Sequence, residues 1–329
     1  MDLDDYFISK RKEYVMDSFE FQNGEVLNDV VVEYMTFGTP KYDDDGHINN
    51  AVVYCHGSLG NYASASKLCP LSYVGGPFDK NEFFFISLSE LGAPGSCSPS
   101  TTKLNNKFPK YTVEDMVNFQ NKFLKDKFGI THVKGIIGNS MGGFVALTCG
   151  VLYPDYADFI ISGVSGFKVA GRNYILSKLV DEIISTDGDY NSGKNTPSLV
   201  RTLRLATQAV YSFGISKEAL HKIPNNQLDI EFDEFGDEGL LDNIYDVKYC
   251  NDATLDYDIE DDLDKITSNV LIIGINQDQY FPPNLDAIPM HNLIKDSELV
   301  IYDSDLGHIG FRELETMEKE LSEFMKNFR

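Results

Sequence analysis

The stretch Val133-Lys134-Gly135-Ile136-Ile137-Gly138-Asn139-Ser140-Met141-Gly142-Gly143-Phe144 decides the fold. It reads as an apolar strand, a very tight turn, and a helix that begins at once. Gly138, Ser140 and Gly142 fit G-x-S-x-G, the pattern of a strained turn that lifts a serine hydroxyl out of the top of a sheet. Its glycines are needed because strand and helix pass too closely there for side chains. The helix behind Ser140 points backbone N–H groups and a positive dipole end at any oxyanion that forms beside the hydroxyl. Alone, the five-letter pattern is also that of an ordinary glycine-rich turn. The apolar strand before it and the helical run over 144–152 supply the context that a nucleophile requires.

Outward from this stretch the chain alternates. Upstream, residues 51–55 form a short apolar run that leads into His56-Gly57-Ser58-Leu59-Gly60, and 82–87 form another. Thr112 and Asp115 make a capping pair for an amphipathic helix that ends near Gly129. Downstream, 158–164, 269–274 and 298–302 read as further buried strands, and 311–328 as a closing amphipathic helix. Residues 1–50 look β-rich, with Asn23-Gly24 as a hairpin turn. The alternation predicts an α/β fold with a mostly parallel, doubly wound sheet. One core domain is expected from 1–166 and 268–329. The intervening 167–267, with helical patterns at 175–184 and 198–213, reads as a lid or cap insertion over the site, because the strands on either side belong to one sheet.

A serine hydroxyl needs a base, and the base needs an orienting acid. Asp278 follows the strand at 269–274, and His308 follows the one at 298–302, where loops leave the carboxyl ends of parallel strands. Of six histidines, only His291 and His308 lie so late, and His291 falls within a helical pattern at 286–294. The order Ser140, Asp278, His308 is therefore the expected catalytic set, with backbone N–H groups of Met141 and Ser58 as oxyanion donors. His56 reads as structural. Gly188-Asp189-Tyr190-Asn191-Ser192-Gly193-Lys194-Asn195 nearly matches a phosphate-binding loop, but Asn195 stands where a magnesium-binding hydroxyl is required and no buried strand precedes it.

Composition excludes several classes. With 28 basic and 51 acidic residues the formal charge is −23, a poor match for nucleic acid or an anionic membrane. The acidic stretch 229–264 reads as a solvated, partly mobile surface segment, and no regular carboxylate spacing there suggests a metal. The five cysteines, with no C-x-x-C and an acidic start in Met1-Asp2-Leu3-Asp4-Asp5, suggest reduced thiols in a cytoplasmic protein. No apolar run approaches membrane-spanning length.

The chain resembles the homoserine O-acetyltransferase-like branch of the α/β-hydrolase fold from about Tyr34 to Phe311. The resemblance rests on Gly138-Asn139-Ser140-Met141-Gly142-Gly143 followed by Tyr153-Pro154-Asp155, on Thr112-Val113-Glu114-Asp115-Met116-Val117, on Asp278-Gln279-Tyr280-Phe281-Pro282-Pro283, and on Gly307-His308. It implies an α/β-hydrolase fold with a helical lid, Asp278 as the triad acid, and an acyl-serine formed from acetyl-CoA and passed to homoserine. It also suggests Arg204 and Tyr211 as substrate-binding residues on a lid helix. The pattern departs from the family at three places. Ile309 stands where an Asp follows the histidine, Ser212 where a second lid arginine is found, and Gly92-Ala93-Pro94-Gly95-Ser96-Cys97-Ser98-Pro99 where the family loop is G-C-x-G-T-T-G-P. The expectation is a serine acyl hydrolase or acyltransferase, leaning to ester or thioester hydrolysis. The alternatives are an O-acetyltransferase with an altered acceptor and a catalytically silent scaffold of the same fold. The partner expected is a small-molecule acyl substrate, with a homodimer also compatible. No metal or cofactor is implied; acetyl-CoA or another acyl-CoA would enter as a substrate.

Overall fold

The computed structural model describes residues 3–329, with side chains from Tyr6 onward. Met1 and Asp2, part of the acidic start of the chain, lie outside the described residues. A short helix α1 (Leu3–Ile8) leads to the hairpin β1 (Lys12–Glu20) and β2 (Val26–Gly38), closed at Asn23-Gly24. Then come β3 (Ala51–Cys55), β4 (Phe84–Leu88), α2 (Val113–Phe128), β5 (Val133–Asn139), α3 (Met141–Leu152) and β6 (Ala157–Gly163). The capping pair forms as expected: Thr112 Oγ1 accepts from the Asp115 N–H and Asp115 Oδ2 accepts from the Thr112 N–H.

Six helices follow before the sheet resumes: α4 (Gly171–Ser185), α5 (Gly188–Asn191), α6 (Pro197–Gly214), α7 (Lys217–His221), α8 (Asn225–Glu238) and α9 (Ile244–Leu255). The phosphate-loop lookalike is α5 and the turn after it, reached from a helix rather than a strand. The chain ends with β7 (Asn269–Ile275), α10 (Ala287–Leu293), β8 (Ser297–Tyr302) and α11 (Glu318–Met325).

The eight strands form one sheet in the order β1-β2-β4-β3-β5-β6-β7-β8. From β4 to β8 every pairing is parallel, and β1 and β2 add an antiparallel edge. Register is tight around the quoted stretch, with Cys55 opposite Gly138 and Gly138 opposite Ser162. The central strands are continuous apolar runs because helices cover both faces of the sheet. One core, with Phe119, Ile136 and Leu147, lies on one face, and a second, with Phe85, Phe159 and Phe324, on the other. The helices between β6 and β7 have a core of their own around Ile184, Leu203 and Tyr245.

Two expectations need correction. The closing helix over 311–328 is broken: a 3₁₀ stretch, Gly307–Met317, carries non-helical Glu313 and precedes the short α11. Amphipathic spacing alone does not distinguish a continuous helix from two turns joined at a kink. The acidic stretch 229–264 is not simply a solvated surface. It includes most of α8 and all of α9, and Asp246 and Lys248 of α9 are buried. Asp246 bonds to Ser100, and Lys248 pairs with Asp181 as well as with Asp252 one turn on; the distant partners, Ser100 and Asp181, are ones that local composition could not reveal.

Candidate active site

At Ser140 the backbone turns with φ 55° and ψ −125°, a conformation that costs a non-glycine residue about 1–3 kcal/mol. Neighbours hold it there. The Ser140 N–H donates to the Gly163 carbonyl at 3.0 Å, and the Ser140 carbonyl accepts from Ser165 Oγ at 2.9 Å. The glycines of the pattern are steric necessities. A Cβ on Gly138 would lie 2.0 Å from the Gly142 carbonyl oxygen, and one on Gly142 would lie 2.0 Å from that of Cys55. The turn therefore closes only with both positions bare, and it delivers Ser140 to the start of α3.

The strand ends bring Asp278 and His308 to this hydroxyl. Asp278 leaves β7, and His308 stands at the start of the 3₁₀ stretch after β8. His308 Nδ1 lies 2.8 Å from Asp278 Oδ2, and His308 Nε2 lies 3.0 Å from Ser140 Oγ. A carboxylate only accepts, so Nδ1 carries the proton and Nε2 is the free acceptor facing the serine. The other oxygen, Oδ1, accepts from the backbone N–H groups of Tyr280 at 2.8 Å and Phe281 at 3.1 Å. These bonds fix the carboxylate, whose side chain is fully buried. Tyr280 stands edge-on to the imidazole with centroids 4.7 Å apart. Nearby Asp286 has its pKa pushed up to about 7, chiefly by burial and then by the Asp278 charge.

His56 is structural, as expected, and its bonds have a geometric consequence. It is fully buried, its Nδ1 lies 2.7 Å from the Gly57 carbonyl oxygen, and its Nε2 accepts the Glu90 N–H at 2.9 Å. Burial pushes its pKa down to about 4, so the ring is neutral and Nδ1 is the donor. The Gly57 carbonyl and the Ser58 N–H share one planar trans peptide and point in opposite directions. Holding the carbonyl against the imidazole therefore aims the Ser58 N–H away from it. Ser58 and Met141 both border the cavity beside Ser140. The Met141 N–H is the first of α3 and has no acceptor within the helix. Cys250 of α9 sits against both residues, its Sγ 3.3 Å from Met141 Sδ and 3.8 Å from the Ser58 carbonyl oxygen.

The cavity over Ser140 has a volume of about 370 Å³ and is walled by the sheet loops on one side and by α4, α6 and α9 on the other. Tyr211 lines it and stacks on Phe235 of α8. Arg204 does not, which corrects that assignment. Its guanidinium is bound to Asp237 and lies 3.6 Å from Asp233, both on α8. Tyr211 lies seven positions after Arg204, which keeps both on one helix face but places Arg204 about 10 Å away along the axis. The cavity's cationic side chains are instead Lys67 and Arg312. Neither was singled out from the sequence. Arg312 had one signal, its place one turn beyond His308.

The helices over the cavity are tied to the core. Tyr280 donates to the Val210 carbonyl, and Gln279 Nε2 to that of Ile215 at 2.8 Å, so the Asp278 loop is bonded to the end of α6. Asp246 of α9 accepts the Ser100 N–H at 2.8 Å, and Tyr249 donates to the Phe108 carbonyl at 2.8 Å.

Residues 50–313 match the family model described as the alpha/beta hydrolase fold. A "probable acyltransferase" of Methanothermobacter thermautotrophicus is 43% identical over 301 residues, covering 92% of this chain and 93% of that one. A homoserine O-acetyltransferase of Haemophilus influenzae is 27% identical, covering 88% and 90%. Among solved structures, homoserine O-acetyltransferase of Bacillus anthracis superposes with a TM-score of 0.84 at 21% identity, covering 96% and 97%. An acetylester hydrolase of Corynebacterium glutamicum gives 0.82 at 20% identity, covering 96% of each chain. At such identities these structures establish a shared fold. Taken with the sequence relatives, the matches mean that the chain belongs to the α/β-hydrolase-fold family, in its homoserine O-acetyltransferase-like branch.

Proposed function

We propose that this protein is a serine acyl hydrolase or acyltransferase working through an acyl-Ser140 intermediate, with ester or thioester hydrolysis as the favoured outcome. The observation that carries the reading is the unbroken hydrogen-bonded run from Ser140 through His308 to Asp278. His308 Nε2 takes the Ser140 proton as the oxygen attacks the acyl carbonyl. The N–H groups of Met141 and Ser58 receive the oxyanion, each donor contributing about 3 kcal/mol to the transition state. Collapse expels an alcohol or thiol that takes the proton back from His308. Water, deprotonated by the same nitrogen, then frees the acid. Asp278 holds the imidazole in its working tautomer throughout. Residues 167–267 serve as a lid over a small-molecule substrate in a cytoplasmic enzyme, and no resident cofactor takes part.

Transfer to an acceptor other than water is the second reading, favoured by the relatedness to an acyltransferase. Ile309 speaks against homoserine as that acceptor, since it offers the amine nothing. Purified protein should release CoA from acetyl-CoA, or acid from a simple ester, with Ser140→Ala as the blank. Faster CoA release with homoserine, together with O-acetylhomoserine, would establish the transferase. A fluorophosphonate should label Ser140, and a folded protein that resists labelling would instead be a silent scaffold.

A further inference from the structure

The cavity over Ser140 differs in charge from the rest of the molecule. The chain carries 51 acidic residues against 28 basic ones. Yet the residues lining this cavity include Lys67 and Arg312 and, among the described residues, no Asp or Glu. The two cations come from neighbouring elements, since the 3₁₀ stretch Tyr62–Leu71 that carries Lys67 packs against Gly307–Met317, which carries Arg312. Arg312 is exposed. Among the described residues no carboxylate forms an ion pair with it. Its charge reaches Tyr211, where it opposes the burial that pushes the phenol up to about 12.

Carboxylates do approach, but from behind the wall. Glu238 and Asp242 line a separate cavity of about 150 Å³ beyond Leu59 and Tyr211. Asp278 is committed to His308 and to two backbone N–H groups. At position 309, next to His308, stands an isoleucine whose side chain lines the main cavity. An ammonium buried here would have no charged partner and would lose its hydration. A carboxylate or phosphate would meet a forked guanidinium that matches it in charge and shape.

We infer that the substrate taken at Ser140 carries a carboxylate or phosphate and no ammonium, and that Arg312 binds this anionic group. The inference rests on acyl transfer at Ser140. The group belongs either to the acyl part, as in a dicarboxylic half-ester, or to the leaving group, as in a phosphate-bearing thioester.

Binding separates this inference from the reaction. Ser140→Ala protein should be titrated calorimetrically with monomethyl succinate, methyl butyrate, methyl 4-aminobutyrate and CoA. At least one anion should bind about tenfold or more tightly than methyl butyrate, and the aminoester more weakly still. Adding Arg312→Gln should collapse that ratio, and Arg312→Lys should restore part of it. Monomethyl succinate as the tight ligand assigns the anion to the acyl part, and CoA to the leaving group. Equal affinities, or preference for the aminoester, would overturn the inference whether or not the enzyme turns over. On wild-type protein, p-nitrophenyl hemisuccinate and butyrate then test the reaction itself. Tight anion binding with no hydrolysis and no Ser140 adduct would leave the anion site standing and sink the acyl-serine reading.

Discussion

Two regions meet at the cavity, and they are built on different principles. On one side, Ser140, Asp278 and His308 stand at the carboxyl ends of β5, β7 and β8. Their places follow from backbone: parallel register, a turn that closes only over glycine, and carbonyls and N–H groups that bond back to the loops. On the other side, α4, α6 and α9 carry their own small core and reach the sheet loops through side-chain bonds such as Asp246 to Ser100 and Tyr280 to Val210. The hydrogen-bonded run thus sits in a frame with little freedom. The wall above it is held by contacts that can be exchanged one at a time. Reaction chemistry and substrate choice are physically separable in such an arrangement.

The sharpest test of the rigid side is Asp278→Asn. It keeps the shape but lets an amide hydrogen face His308, favouring the wrong tautomer, and ester turnover should fall about 10⁴-fold. Steady-state kinetics against wild type would check this, and a loss below tenfold would remove Asp278 from the mechanism. Gly142→Ala places a methyl 2.0 Å from the Cys55 carbonyl oxygen. Urea unfolding should report a loss of about 3 kcal/mol or more, or no folded protein at all.

On the adaptable side the effects should be smaller. Asp246→Ala removes the acceptor for the Ser100 N–H and hydroxyl. It should cost about 1–3 kcal/mol and speed proteolysis within 171–255, while fluorophosphonate labelling of Ser140 stays near the wild-type rate. Slowed labelling would show that the two regions are coupled more tightly than the contacts indicate.

Titration gives a further comparison. Asp286, packed near Asp278, has its pKa raised from 3.8 to about 7 by burial first. A raised pKa means that the folded state holds the proton more tightly. The associated stability is full below pH 3.8, declines as pH rises, and is gone above about 7. Asp286→Asn should flatten this decline, which unfolding midpoints at pH 5 and pH 8 would measure. The smallest effect is expected at Arg204. Its head group pairs with α8 carboxylates that are largely exposed, so Arg204→Gln should change stability by less than about 1 kcal/mol. It should also leave KM within about twofold, because the head group is turned away from the cavity.

The sequence by itself determined the sheet, the elbow and the three positions, Ser140, Asp278 and His308, that the fold brings together. Strands buried on both faces must be apolar throughout, and a turn with no room for a Cβ must be spelled with glycine, so these constraints leave marks at fixed local spacing. The cap on α2 at Thr112 and Asp115 was legible for the same reason. Only the tertiary structure decided what faces the cavity. Arg204 and Tyr211 share one face of α6, yet α8 captures the first and leaves the second at the wall. Arg312 and Lys67 come together from segments far apart in the chain, and acidic α9 turns Asp246 and Lys248 inward because Ser100 and Asp181 wait there. Helical spacing fixes which residues share a face. Which neighbour that face meets depends on packing between distant segments, and that leaves no local mark in the chain.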